Sequence, residues 1–273
     1  MKKVLAAFAA ALILFSILPA GALVAESPLL STAFEMLEEG NPILERYNQI
    51  TGAGVAARYK YGMPYMFGGK KESYLMQVWK AWETTKFFRK DQKYVYGFDC
   101  SGYINWIATQ NGRPELDSLS NMILKWGLYG EKNHLPIKDI PYDQLKNYLE
   151  IGDYLVGKHT ARHIMMYIGT LADYGYTAED VPELADYLEY PILINSGSNP
   201  FYYERYLRYI EENGLDCNST NGGVCLYIVG VPVDQVPHQV EDNRQTFYYF
   251  DMDGYMLTAY DIFSCTSYVW FRP

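Results

Sequence analysis

Gly97-Phe98-Asp99-Cys100-Ser101-Gly102 carries the chain from a polar loop into the apolar pattern Tyr103, Ile104, Trp106, Ile107, Ala108. That pattern has helical spacing and stops at Asn111-Gly112, which predicts a helix from about Cys100 to Gln110. Cys100 then stands at the helix start, where unpaired backbone N–H groups and the positive end of the dipole favour a thiolate. Downstream, His163 begins the apolar run His-Ile-Met-Met-Tyr-Ile-Gly, and Asn195 ends the run Pro-Ile-Leu-Ile-Asn. Cys, His and Asn in that order suggest a cysteine hydrolase, with a thiol nucleophile, an imidazole base and a carboxamide that holds the ring.

Around these residues the chain alternates helical and extended patterns. Residues 154–157, 163–169, 191–195 and 224–231 are short and apolar, as buried strands are. Helical spacing is read at 29–37, at 43–50 with a weaker continuation through Ala56 and Tyr59, and at 73–90, 118–129, 141–149 and 200–213. Pro141 suits the first turn of its helix. Thr177-Ala-Glu-Asp180 and Leu184–Leu188 add helical character to the insertion between the second and third strands. Residues 246–271 are rich in Tyr, Phe and Trp around Asp253-Gly254, a dipeptide that turns hairpins. Helices interspersed with clustered short strands give an α+β fold class.

Composition narrows the function. Met1-Lys2-Lys3, an apolar run from Val4 to Leu18 and the small residues Ala20-Gly21-Ala22 read as an export signal cleaved after Ala22. The run falls short of the ~20 apolar residues of a spanning helix, so no stable membrane anchor is expected. The formal net charge is −9, and loss of Lys2 and Lys3 makes it more negative. Nucleic acid, whose phosphates are bound by Lys and Arg, is therefore not an expected partner. In an exported protein Cys217 and Cys225, flanking Asn-Ser-Thr-Asn-Gly-Gly-Val, can close a small disulfide loop; the alternative is two separate thiols. Cys265 reads as a small buried residue.

Five segments occur in one order: Gly62-Met-Pro-Tyr-Met-Phe-Gly-Gly69, Phe98-Asp-Cys-Ser-Gly102, Ile151-Gly-Asp-Tyr-Leu-Val156, His163-Ile-Met-Met-Tyr-Ile-Gly169 and Ile194-Asn-Ser-Gly197. Together they resemble the NlpC-type cell-wall peptidases, a papain-like family that hydrolyses the stem peptides of peptidoglycan. The likeness covers about residues 43–232. It departs in the long tract from Lys70 to Gly97, in Ile164 where Gly or Val commonly follows the histidine, and in Asn195 where the family often has His.

The resemblance implies a nucleophile helix packed on a central antiparallel sheet, with helical insertions and a C-terminal strand-rich extension. With the export signal read at 1–22, the expected organisation is a peptidase domain with a helical lead-in at 23–232, as the resemblance implies, and an aromatic-rich extension at 233–273 packed on the same domain. Cys100 would be the nucleophile, His163 the base and proton donor, and Asn195 the residue that fixes the ring. His159 competes with His163, and Ser196 and Ser198 with Asn195. By the same resemblance Tyr65 lines the site, and Asp99 and Ser101 contact a free substrate amine. The local alternative for Asp99 and Ser101 is helix capping. The implied substrate is a peptidoglycan stem peptide cut at an amide, often the bond after D-glutamate. Another amide hydrolase, an acyl transferase, or a binding module without chemistry are the rival readings.

No cofactor and no metal are read. Asp251-Met-Asp253-Gly254 lacks the remaining acidic ligands of a calcium loop. Gly68-Gly69-Lys70 lacks the spacing of a phosphate-binding loop.

Overall fold

Side chains on successive strand residues point to opposite faces, so a run that is apolar at every position must be covered on both. The computed structural model shows how this chain meets that demand. It describes residues 27–38, 41–52, 63, 65–66, 69, 75–77, 94–115, 131–135, 140–157, 163–198, 222–232, 239–242, 245–252, 255–260 and 268–272.

Helices α1 (Pro28–Glu35) and α2 (Pro42–Thr51) lead in. They are followed by a two-stranded ribbon of β1 (Leu75–Gln77) and β2 (Tyr94–Tyr96) and by helix α3 (Cys100–Gln110). Next come β3 (Glu131–Leu135), a short 3-10 helix (Tyr142–Asn147), β4 (Tyr154–Gly157), β5 (Ile164–Gly169) and a second 3-10 helix (Pro182–Tyr187). The chain ends in β6 (Ile192–Ser198), β7 (Gly222–Val229), β8 (Gln239–Asp242), β9 (Gln245–Met252), β10 (Tyr255–Tyr260) and β11 (Tyr268–Arg272). The fold is α+β. Among the described residues, no helix is long and apolar enough to cross a membrane.

A nine-stranded sheet in the order β3-β11-β4-β5-β6-β7-β10-β9-β8 organises the whole. One face buries Ile164, Met166, Ile168, Ile192, Ile194 and Leu226 against Tyr103, Ile104 and Ile107 of α3 and Leu30 and Phe34 of α1. The other buries Leu155, Met165, Tyr167, Leu193 and Val229 against Leu145, Leu149, Tyr268 and Trp270. Each such side chain contributes roughly 1.5–3 kcal/mol when fully buried, which is why these strands carry no polar face. The Tyr103 hydroxyl donates to the Ala33 carbonyl at 2.6 Å and ties α1 to α3. Ser27 caps α1 by accepting from the Leu30 N–H.

The expected antiparallel sheet is found across β4, β5, β6 and β7, but β10 runs parallel to β7. The chain leaves β7, forms the antiparallel pairs β8–β9 and β9–β10, and returns beside β7 in its own direction. Strand β11 crosses to the far side and inserts between β3 and β4. Met252 and Tyr255 are register partners in the β9–β10 pair; Asp253-Gly254, read as the hairpin turn, lie outside the described residues.

Part of the helical reading needs correction. Leu75–Gln77, inside the stretch read as helical at 73–90, is extended and pairs with Tyr94–Tyr96. A ladder formed with residues far along the chain overrides the local apolar spacing. Within 141–149 the helix is a short 3-10 one, Tyr142–Asn147, with Pro141 at its N-cap and not in its first turn, and the insertion between β5 and β6 has another at Pro182–Tyr187. The helical stretches read at 118–129 and 200–213, and the continuation through Ala56 and Tyr59, lie outside the described residues.

The end of the chain is fixed by charge. Arg272 Nε and one terminal nitrogen donate to the two oxygens of Asp153 at 3.2 and 3.1 Å, and the other terminal nitrogen lies 2.7 Å from Glu150. Asp153 is 1% exposed. Replacing Arg272 with Met leaves that carboxylate buried with only the Glu150 N–H near it, and is expected to destabilise by about 2 kcal/mol, given that Arg272 itself is part exposed. Chemical denaturation of the variant measures this directly.

Candidate active site

Helix α3 starts where an extended Asp99 turns the chain. The Asp99 carboxylate accepts from the Gly102 N–H at 2.7 Å and from the Ser101 hydroxyl at 3.0 Å, so it is the N-cap of the helix. The local reading of Asp99 as a cap is thus what the structure shows; Ser101 lies in the first turn and donates its hydroxyl to that carboxylate without capping the helix itself. Cys100 is the first residue of α3 and 7% exposed. The helix packs on β5 and β6, the strands that carry or adjoin His163 and Asn195.

Backbone hydrogen bonds of Met63, Met66 and Gly69 seat this helix start. The Met63 N–H donates to Met36 O and the Val224 N–H to Met63 O, both at 2.8 Å, which holds Met63 between the end of α1 and β7. Met66 N–H then donates to Phe98 O at 2.8 Å, and Asp99 N–H to Gly69 O at 3.1 Å. Tyr65 bridges to Phe98, so the structure brings it beside the loop that ends in Cys100. Contact is so close that a Cβ on Gly102 would lie 1.8 Å from the Gly69 carbonyl oxygen. Only glycine fits at Gly102.

A second tether runs to the sheet. The Ser196 hydroxyl, fully buried on β6, donates to the Phe98 carbonyl at 2.9 Å. Ser196, named in the sequence as a rival to Asn195, is therefore a structural link between the loop that ends in Cys100 and the strand that carries Asn195.

His163 is half-buried and directly precedes β5; its carbonyl accepts from Gly157 N–H at 2.9 Å, which fixes the residue across from β4. Its Nε2–H donates to Asn195 Oδ1 at 3.0 Å. Two residues separated by 32 positions in the chain thus form a direct pair, and Nδ1 is the ring nitrogen left for another partner. Burial pushes the His163 pKa below its ordinary 6.5, partly opposed by the Asn195 hydrogen bond and by the negative charge of Asp99.

Behind Asn195 lies Cys225, its register partner on β7. Asn195 is fully buried, and its Nδ2–H donates to Cys225 Sγ at 3.9 Å. Cys225 is a buried free thiol, so of the two readings of Cys217 and Cys225, a disulfide loop or separate thiols, the structure has the second for Cys225. Its sulfur lies against Asn195; Cys217 and Cys265 lie outside the described residues. Burial pushes the Cys225 thiol up to about 12, with Tyr227 and Asn195 hydrogen bonds opposing. His159 also lies outside the described residues.

The sequence does not mark Ser196 and Cys225 for these roles, because strand register is what places them. Compared with protein-family models, with curated proteins and with solved structures, the chain matches none.

Proposed function

We propose that this is an exported cysteine peptidase with a papain-like arrangement, acting on amide bonds of peptidoglycan stem peptides. The observation that carries the reading is the His163 Nε2–Asn195 pair, which leaves Nδ1 as the ring nitrogen that in this reading exchanges a proton with Cys100, at the start of the helix packed on β5 and β6. The peptidoglycan substrate, and the bond after D-glutamate as its scissile amide, rest on the motif resemblance.

In this mechanism the His163 ring, neutral at pH 7, accepts the Cys100 thiol proton through Nδ1 as the sulfur attacks the peptide carbonyl. The oxyanion lies against the Cys100 N–H, one of the four at a helix start with no acceptor inside the helix. The imidazolium returns its proton to the departing amine, leaving a thioester. Water, deprotonated by the same ring, then releases the acid and the thiol. Tyr65 lines the cleft, and the Asp99 carboxylate, besides capping, and Ser101 face the free amine of the substrate peptide. No cofactor enters.

Mass spectrometry of muropeptides after incubation with the purified protein tests the reading. New stem-peptide fragments with a free carboxylate support it; transferred acyl groups point to a transferase, and no product to a binding module.

The pH profile follows from His163. Burial opposes protonation, so the acid limb of kcat/KM is expected below pH 6.5. Between the folded value and 6.5 the unfolded chain holds the extra proton, so this group's contribution to stability is full above 6.5 and is lost as pH falls through the folded value. Asp99→Asn keeps a good cap and removes a charge that favours the imidazolium, so it should move the limb further down. A limb that moves up, or stays in place, contradicts the assignment of His163 as the base.

A further inference from the structure

We propose that Cys225 is a positioning residue: by accepting the Asn195 Nδ2–H it sets which end of the carboxamide faces His163, and so which ring nitrogen is left for Cys100. The consequence for rate rests on the catalytic reading above, whereas the orientation of the side chains does not.

A carboxamide has two ends of nearly equal size and opposite hydrogen-bonding sense. With Oδ1 toward the ring, Nε2 must carry the proton and Nδ1 is an acceptor able to take a proton from a thiol. With Nδ2 toward the ring, Nε2 becomes the acceptor, Nδ1 carries the proton, and the ring cannot act as a base toward Cys100. Asn195 is fully buried, so bulk water does not decide between these states. The group at its other end does. That group is the Cys225 sulfur, held opposite by strand register.

Two features make the sulfur an acceptor here. The Tyr227 hydroxyl also hydrogen-bonds to it and lowers its otherwise raised pKa, as a donor to sulfur would, so two donors converge on Sγ. Gly197 keeps the space clear: a Cβ there would lie 2.7 Å from Asn195 Oδ1 and 3.4 Å from the Tyr227 hydroxyl. A disulfide through Cys225 would turn the sulfur from this position. The buried thiol accounts for a cysteine that otherwise has no place in the mechanism.

The test compares Cys225→Ser, which keeps an acceptor, with Cys225→Ala and Cys225→Val, which do not. Two-bond proton–nitrogen spectra of the His163 ring, read on the protein alone, report the tautomer. The wild type and Cys225→Ser should show the Nε2–H form, and kcat of the serine variant should stay within about 3-fold of wild type. Cys225→Ala and Cys225→Val should raise the Nδ1–H fraction and lower kcat by ~10-fold with KM little changed, the scale typical of partners that orient a functional imidazole. A packing role predicts the reverse order, because a buried hydroxyl costs more than an apolar replacement. Serine no better than alanine and valine, or an unchanged tautomer in the two apolar variants, overturns the proposal. An inactive wild type would instead overturn the catalytic reading, and the ring spectra would still decide this one.

Discussion

Cys100→Ala is expected to lower stem-peptide cleavage by on the order of 10⁴- to 10⁶-fold, the range seen when a nucleophile is deleted from other hydrolases. The change removes one sulfur from the start of α3 and leaves the Asp99 cap, the Ser196 tether and the His163–Asn195 pair in place. Melting temperature should therefore change little while the thioester disappears from intact-mass spectra of trapped reactions. Alkylation supplies the companion result. Iodoacetamide at neutral pH should label Cys100 well ahead of Cys225, because burial holds the Cys225 thiol near 12 and so uncharged. A Cys100→Ala protein that still cuts, or a wild type labelled first at Cys225, would remove the nucleophile from the mechanism.

The elements that carry the candidate site were legible because each is specified by neighbouring residues. Asp99 before Cys100 and Asn111-Gly112 after Gln110 bound α3 at both ends, and the structure has the helix between those limits. The apolar runs at 154–157, 163–169 and 224–231 correspond closely to β4, β5 and β7. What could not be read depends on partners distant in sequence. Leu75–Gln77 is a strand only because Tyr94–Tyr96 lies beside it. Cys225 looked like half of a small disulfide loop because Cys217 is close in sequence, whereas its true neighbour, Asn195, is chosen by the β6–β7 register. Likewise Ser196 and Asn195 are adjacent and polar, and nothing local says which faces Phe98 and which faces His163. The insertion of β11 between β3 and β4 is likewise a property of the assembled sheet.

Gly102→Ala should be the most damaging single-methyl change in the described part of the molecule, at about 3–5 kcal/mol, the upper end of what overpacking costs. The new Cβ would meet the Gly69 carbonyl oxygen at 1.8 Å and the Gly69 carbonyl carbon at 2.9 Å, and both are backbone atoms with no rotamer to escape into. Relief requires α3 to lift away from Gly69, which breaks the Asp99 N–H to Gly69 O bond and strains the Asp99 cap, whose Oδ1 lies 3.3 Å from the same Cβ. Because Phe98 is held by both Met66 and Ser196, the strain falls on the two residues between those anchors and the helix, Asp99 and Cys100. Stability and cleavage should therefore fall together, with a melting point lowered by roughly 10 °C. Gly112→Ala is the control: its φ of +69° disfavours a side chain, but nothing lies within 4 Å of the new Cβ, so about 1 kcal/mol is expected and no loss of cleavage. If the two alanine variants melt alike, the contact with Gly69 does not seat α3, and the route by which the helix start is held on β5 and β6 must be a different one.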